Sequence, residues 1–266
     1  MSATSPLSGS SHRHGPLWGA RARAWADNEA QQTPTYEAAL RRVGIAPGHR
    51  VLDVGCGSGV FLRAAADRGA RVFGLDASEA LLAIARERVP EADLTVGDME
   101  FLPYDDDAFD VVTGFNSFFF AADMTAALRE ARRVARPGAP VVIQVWGRPD
   151  RCDLTALRQA VGRFMAPPPA ATVPQRGLWE PGVLEDLATA AGLVPDVAFD
   201  SSWAFAYEDD AALARAMLAP GVVVEAARTA GEEPVRRAIL DALAPYRTAD
   251  GGYRLENEWH YLIARA

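Results

Sequence analysis

The sequence predicts an α/β fold: a doubly wound, mostly parallel sheet of seven strands with a helical cap. Two observations lead there. Through the first half of the chain, short apolar runs alternate with helical stretches, and several of the runs end at glycine, aspartate or an aromatic cluster. After about residue 150 helical stretches predominate between two longer strand-like runs. Apolar strands separated by helices belong to a parallel sheet covered on both faces. Right-handed crossovers bring the carboxyl ends of such strands to one edge, where ligands bind near a switch in strand order.

The elements follow in order. Arg50–Val54 is a short apolar strand ending in glycines. Ser58–Arg68 has helical periodicity, with Val60, Phe61, Ala64 and Ala65 on one side and Gly69 as a stop. Arg71–Leu75 is a second strand ending at Asp76, and Ser78 is placed to N-cap a helix through Arg88, stopped by Pro90. Asp93–Val96 and Asp110–Phe115 are the third and fourth strands. Met124–Ala135 is an amphipathic helix closed by Pro137-Gly138, and Pro140–Trp146 is a nearly all-apolar fifth strand.

In the second half, Cys152–Met165 reads as helix, broken into a loop by Pro167–Pro169 and Pro174. Pro181–Ala191 is helical, with Gly192 as its stop, and Val194–Tyr207 is a long strand. Asp209–Leu218, Val222–Ala230 and Pro234–Leu243 are short helices, and Gly252–Ala266 is a final strand in which Trp259, Tyr261 and Ile263 alternate. The last two strands join the same sheet. The expected organisation is a loose tail over residues 1–15 and one domain over 16–266, with cap segments at about 151–180 and 208–250. Trp18–Tyr36 reads as a helical cover, with Trp18 and Trp25 seven apart and hence on one helix face.

Composition narrows the function. The 266 residues are 49% hydrophobic and 23% charged, and the net charge is −8. No basic stripe is present to meet phosphates, which argues against a nucleic-acid partner and for a small-molecule one. No apolar run reaches membrane-spanning length, and the Ser-, Gly- and His-rich start is unlike a secretory signal. Two cysteines, Cys56 and Cys152, exclude a disulfide framework and fit a cytoplasmic setting. No metal site is expected: Asp105–Asp107 reads as a solvated loop. Nothing in the sequence separates a monomer from a homodimer.

The strongest signal is Asp53-Val54-Gly55-Cys56-Gly57-Ser58-Gly59, which ends a strand and opens a helix. Gly55 and Gly57 let a ligand approach the main chain, and the helix start presents free N–H groups. A dinucleotide fingerprint would place its third glycine at position 60, where Val60 stands. Asp53, two residues before the first glycine, would repel a pyrophosphate and suits a ligand bearing an ammonium group.

Four further segments follow in order: Val72-Phe73-Gly74-Leu75-Asp76-Ala77-Ser78, Gly97-Asp98-Met99-Glu100, Phe109-Asp110-Val111-Val112, and the helix and turn Leu128–Gly138. With the glycine turn, these resemble the motifs of the class I S-adenosylmethionine-dependent methyltransferases, of the small-molecule, type 11-like kind, over roughly Val51–Trp146. The resemblance implies a Rossmann-like fold, S-adenosylmethionine as cofactor and S-adenosylhomocysteine as product. It implies that Asp76 and Ala77 meet the ribose and Asp98 and Met99 the adenine. With Trp25 as a lid residue, the cofactor set is Trp25, Asp53, Gly55, Cys56, Gly57, Gly59, Asp76, Ala77, Asp98, Met99, Phe115 and Asn116.

Phe115-Asn116-Ser117-Phe118-Phe119-Phe120 follows the fourth strand, where the resemblance implies that groups face the reacting methyl. Three consecutive phenylalanines exceed what one core face buries, so at least one is expected in the pocket. Asn116 is a candidate to orient the acceptor and His260 a candidate base, with no firm catalytic residue. Phe119, Phe120, Trp179 and Trp203 are candidate acceptor contacts, and apolar cap residues such as Phe164, Met165, Phe205, Met217 and Leu218 point to a hydrophobic metabolite, as in secondary metabolism. The alternatives are an enzyme that retains the cofactor for a cyclase-like purpose, or a non-catalytic S-adenosylmethionine-binding protein.

Overall fold

The structure is a computed structural model that describes residues 9–165 and 176–266. Seven strands form one sheet: β1 (Arg50–Val54), β2 (Arg71–Asp76), β3 (Asp93–Val96), β4 (Val111–Phe115), β5 (Pro140–Trp146), β6 (Val194–Tyr207) and β7 (Tyr253–Arg265). Eleven α-helices among the described residues accompany them: α1 (Ser11–Gly19), α2 (Ala22–Glu29), α3 (Thr33–Val43), α4 (Val60–Ala66), α5 (Glu79–Arg88), α6 (Met124–Val134), α7 (Leu154–Gly162), α8 (Val183–Ala190), α9 (Asp210–Met217), α10 (Gly221–Ala230) and α11 (Glu232–Leu243).

The sheet order is β3-β2-β1-β4-β5-β7-β6. The first five strands pair in parallel, while β7 runs antiparallel to both β5 and β6. The order reverses between β1 and β4, so the crevice expected for a ligand opens beyond the end of β1. Successive residues of each strand feed opposite cores. Val51, Val142, Trp259 and Tyr261 pack on one face, and Leu52, Val54, Val141, Ile143 and Leu262 on the other. Burial on both faces is why these strands are continuously apolar in sequence.

Strand ends agree with the sequence reading to within a residue. Helix α4 is shorter than expected, because Gly59 adopts φ +79° as its N-cap and the chain leaves the helix at Asp67. Ser78 and Asp123 cap α5 and α6 by accepting the N–H of Leu81 and Ala126. Asp106, in the acidic run, pairs with Arg133 at 2.8 Å.

Two expectations are corrected. Residues 11–15, expected in a loose tail, begin helix α1, which tertiary contacts hold in place. Ser11 N–H donates to the Asp98 carboxylate at 3.1 Å, Arg13 pairs with Glu225 at 2.8 Å, and Leu17 is buried. Gly15 lets α1 come close to the sheet, since an added Cβ would lie 2.4 Å from the Ala77 carbonyl oxygen. None of these contacts leaves a periodic trace in so polar a segment. The cover expected over Trp18–Tyr36 is likewise not one helix. The chain turns between α1 and α2, and Trp18 meets Trp25 edge to face across that turn, with ring centroids 4.7 Å apart. The first eight residues of the expected tail, and the loop expected at Pro167–Pro169 and Pro174, lie outside the described residues.

Polar contacts anchor the cover to the sheet. Tyr207 donates its hydroxyl to Asn28 at 2.7 Å, and Tyr261 donates to the Thr35 carbonyl at 2.9 Å. Gln144, on β5, donates to the Tyr261 hydroxyl at 2.7 Å. Helices α2 and α3 are thereby tied to β5, β6 and β7.

Leu128, with no exposed surface, sits in the core between α6 and the sheet. Leu128→Ala is expected to destabilise the protein by about 2–5 kcal/mol, measured as a lowered urea midpoint with an unchanged slope.

Candidate functional site

The carboxyl ends of the parallel strands converge on a cavity of about 210 Å³. Its floor is the turn after β1. Gly55 adopts φ +78°, and an added Cβ there would lie 2.4 Å from the Ser117 side chain. Ser117 in turn donates its hydroxyl to the Val54 carbonyl at 2.6 Å, locking the end of β4 against the end of β1. Gly57 adopts φ +54°, and an added Cβ would meet the Glu29 carboxylate at 3.0 Å. Both positions therefore require glycine for conformation and for space.

Three buried carboxylates gather at this turn. Asp76, at the end of β2, accepts Gly57 N–H at 2.9 Å and Ser78 N–H at 2.8 Å. Burial raises its pKa, and these backbone donors oppose the rise. Asp53 accepts the Thr113 hydroxyl at 2.7 Å. Burial pushes Asp53 up to about 8, and the neighbouring charges of Glu29 and Asp76 add to the shift. Glu29 arrives from the end of α2 and accepts both the backbone N–H and the hydroxyl of Ser58, at 3.0 and 2.7 Å. Burial raises Glu29 to about 7, against the hydrogen bonds from Ser58 and the charge of Arg88. Arg88 reaches the turn through the Ser58 carbonyl, at 2.6 Å. Neither Glu29 nor Asp53 has an ion-pair partner among the described residues.

The rest of the wall is largely aromatic and apolar. Phe115 packs between Tyr36 and Phe61, with centroids 4.8 and 4.6 Å away. Of the three consecutive phenylalanines, Phe119 and Phe120 line the cavity, while Phe118 turns into the core beneath Gly114. Phe120 also meets Trp18 and His14 at 5.5 and 5.1 Å. Asn116, between β4 and the phenylalanines, holds φ +51°. Both polar atoms of its side chain are buried without a hydrogen-bond partner among the described residues. Each such atom costs roughly 1–3 kcal/mol, so the position is strained and unsatisfied on the wall of a cavity.

Ten of the twelve expected cofactor residues line this cavity: Trp25, Asp53, Gly55, Cys56, Gly57, Asp76, Ala77, Met99, Phe115 and Asn116. Gly59 and Asp98 stand off the wall. Gly59 is tucked against Ala85 of α5, where an added Cβ would lie at 3.1 Å. Asp98 is covered by the start of α1 and accepts N–H groups from Ser11 and Glu100, at 3.1 and 2.9 Å.

The remaining candidates divide. Phe119 and Phe120 are on the wall, but Trp179 and Trp203 are not. Trp179 lies in the turn before α8, its ring over Gly177, and α8 covers the opposite face of the sheet. Trp203 is 45% exposed on β6, the edge strand, which has a neighbour on one side only. His260 is also corrected as a candidate base. The alternation of β7 sends Trp259 to the cavity side, where it stacks on Trp146, and turns His260 away to meet Asp200 at 2.6 Å.

Sequence reasoning missed Glu29, His14 and Arg158, which all line the cavity. Each comes from a segment read as tail, cover or cap, with no local motif. The cover carries two acids, Asp27 and Glu29, and nothing local in the sequence tells which of them faces the site.

Comparison with known proteins agrees with this geometry. Residues 52–143 match a family model described as a methyltransferase domain. An uncharacterized protein of Mycobacterium tuberculosis is 31% identical over 258 residues, covering 90% of this chain and 88% of its own length. A malonyl-acyl-carrier-protein O-methyltransferase of Serratia marcescens is 38% identical over 96 residues, which is 36% of this chain and 38% of that protein. Among solved structures, the chain from Haloferax volcanii in complex with the Trm112 methyltransferase activator superposes with a TM-score of 0.58 at 23% identity. That superposition covers 94% of this chain and 96% of the other. With its sheet order, its glycine turn and these relatives, the chain belongs to the class I S-adenosylmethionine-dependent methyltransferases.

Proposed function

We propose that this chain methylates a small, apolar acceptor bound between the phenylalanines after β4 and the helical cap. The observation that carries the reading is the polarity of one cavity. Two buried carboxylates without ion-pair partners mark the glycine turn, while aromatic and aliphatic side chains line much of the rest.

The residues fit a cationic cofactor. Asp53 and Glu29 are held in a dry site where their ionised forms are disfavoured, so a positive ligand charge offsets a cost the fold already carries. S-adenosylmethionine supplies a methyl group on a sulfonium, which leaves readily. Asp76, at a strand end, suits the ribose hydroxyls, and Ala77 and Met99 flank the base. Asp98, expected at the adenine amino group, stands behind the wall and holds the start of the cover through Ser11 instead. Gly55, Cys56 and Gly57 present bare backbone, Gly59 shapes the turn from behind, and Trp25 and Phe115 close over the site.

For methyl transfer the protein chiefly needs alignment and exclusion of water. Phe119 and Phe120, with Trp18 from the cover, supply a dry wall. Asn116 supplies a donor and an acceptor with no competing partner, so it orients the polar atom that receives the methyl. Its amide cannot act as a general base near neutral pH, so the role assigned to it is positioning.

Three outcomes test this reading. Asp76→Ala is expected to weaken S-adenosylhomocysteine binding by about 1–3 kcal/mol, read by titration calorimetry; unchanged affinity would place the ribose elsewhere. Asn116→Ala is expected to lower the rate of labelled methyl transfer to an apolar acceptor at least tenfold, roughly, with cofactor affinity retained. Equal loss of both would make Asn116 a cofactor contact instead.

The third is pH dependence. Glu29 and Asp53 have higher pKa values folded, about 7 and about 8, than the ordinary 4.5 and 3.8 they return to on unfolding. Between those limits the folded protein holds more protons, so their contribution to stability declines as pH rises through that window. Glu29→Gln and Asp53→Asn should therefore raise the melting temperature of the ligand-free protein relative to the parent, by a margin that grows from pH 5 to pH 8. A margin independent of pH would contradict the assignment.

A further inference from the structure

One charged side chain on the cavity wall belongs to neither the glycine turn nor the aromatic cluster. Arg158 projects from α7 of the cap, one turn after Leu154 and next to Leu157, and all three line the cavity. Among the described residues its side chain donates one hydrogen bond, to the Thr155 hydroxyl at 3.1 Å. No carboxylate among the described residues forms an ion pair with it, and residues 1–8 and 166–175 contain no Asp or Glu.

The other cavity charges do not compensate it. Arg88, not Arg158, is the cation that acts on Glu29. Arg158 is exposed on α7 even as it lines the cavity, partial burial of its guanidinium lowers its pKa, and burial holds the neighbouring Cys152 thiol above its ordinary value and so uncharged. The guanidinium therefore retains most of its donors and its full charge, beside the Leu154 and Leu157 side chains and in a chain whose net charge is −8. An arginine on a pocket wall, with donors to spare and no ion-pair carboxylate among the described residues, can pair with an anionic group of a ligand. Guanidinium groups match carboxylates and phosphates with two parallel hydrogen bonds.

We propose that Arg158 binds an anionic group of the acceptor, a carboxylate or a phosphate monoester, so that the preferred acceptor is an apolar acid rather than a neutral molecule. This rests on reading the cavity as an acceptor pocket beside the cofactor. The charge layout also orients the acceptor. The cofactor occupies the glycine turn, and Arg158 draws the anion to the cap, leaving the opposite end of the molecule toward Asn116. Arg158 is thus a specificity residue that touches the acceptor but not the reacting atoms.

The test uses the full-length protein saturated with S-adenosylhomocysteine. The neutral fluorophore N-phenyl-1-naphthylamine reports occupancy of the apolar wall, and three ligands of equal chain length compete for it: dodecanoate, dodecyl phosphate and dodecanol. At least one anion is expected to displace the fluorophore at about tenfold lower concentration than dodecanol. Arg158→Gln should erase that advantage while leaving dodecanol and S-adenosylhomocysteine affinities unchanged, and Arg158→Lys should keep part of it. Whichever anion competes better names the group. An advantage absent from the parent protein, or surviving in Arg158→Gln, overturns the proposal. Failure of the cofactor reading would show separately, as an absence of S-adenosylhomocysteine binding in calorimetry. Failure of the fluorophore to bind at all would overturn the apolar pocket and this proposal with it.

Discussion

Burying carboxylates at the end of the central strands is the constraint around which the site is built. Asp53 and Glu29 sit where water cannot solvate them, and each resists ionisation as a result. A core concerned with stability alone would place apolar groups there. The surrounding structure holds them with specific donors: the Thr113 hydroxyl for Asp53, and the Ser58 amide and hydroxyl for Glu29. These bonds fix the position of the carboxyl groups without supplying a counter-charge. A cationic ligand at the turn would supply it, which would couple binding to the stability of the turn.

That arrangement depends on close approach of backbone segments. Ser117 reaches the Val54 carbonyl only because Gly55 has no side chain, and Glu29 reaches Ser58 only because Gly57 has none. The glycines thus serve two ends at once, admitting a ligand to the main chain and admitting the side chains that build its surroundings. Asn116, in left-handed conformation with an unpaired amide, is the other place where the fold tolerates local cost. It stands between the cofactor residues and the phenylalanines, where positioning is needed.

The cover and cap finish the cavity from segments far apart in sequence. Helices α1 and α2 bring His14, Trp18, Trp25 and Glu29, while α7, α9 and α10 bring Arg158, Met217 and Val223. One end of the pocket is acidic and another carries an unpaired cation, with aromatic side chains also on the wall. A molecule entering it meets a directed field, and orientation follows from electrostatics as much as from shape.

The sheet was legible in the sequence because its determinants are local. Continuous apolar runs, capping residues and glycine turns state strand, helix and crossover within a few residues, and the ends of β1, β5 and β6 fall where those signals put them. Nine residues of the expected cofactor set, placed by motif and strand-end position, line one cavity for the same reason, together with Trp25 of the cover. The sides of β7 were another matter: alternation said that Trp259 and His260 face opposite ways, but only pairing with β5 and β6 decided which faces the cavity. Trp179 and Trp203 were misplaced because an aromatic residue looks the same in sequence on either side of a sheet. Residues 11–15 and Glu29 are placed by partners tens to hundreds of positions away, and Arg158 is brought to the cavity wall by the packing of the cap. By itself, the sequence determined the sheet, the glycine turn and the cofactor, since each is encoded in neighbouring residues. The tertiary structure decided which distant charges and rings close the pocket, because long-range packing leaves no local pattern to read.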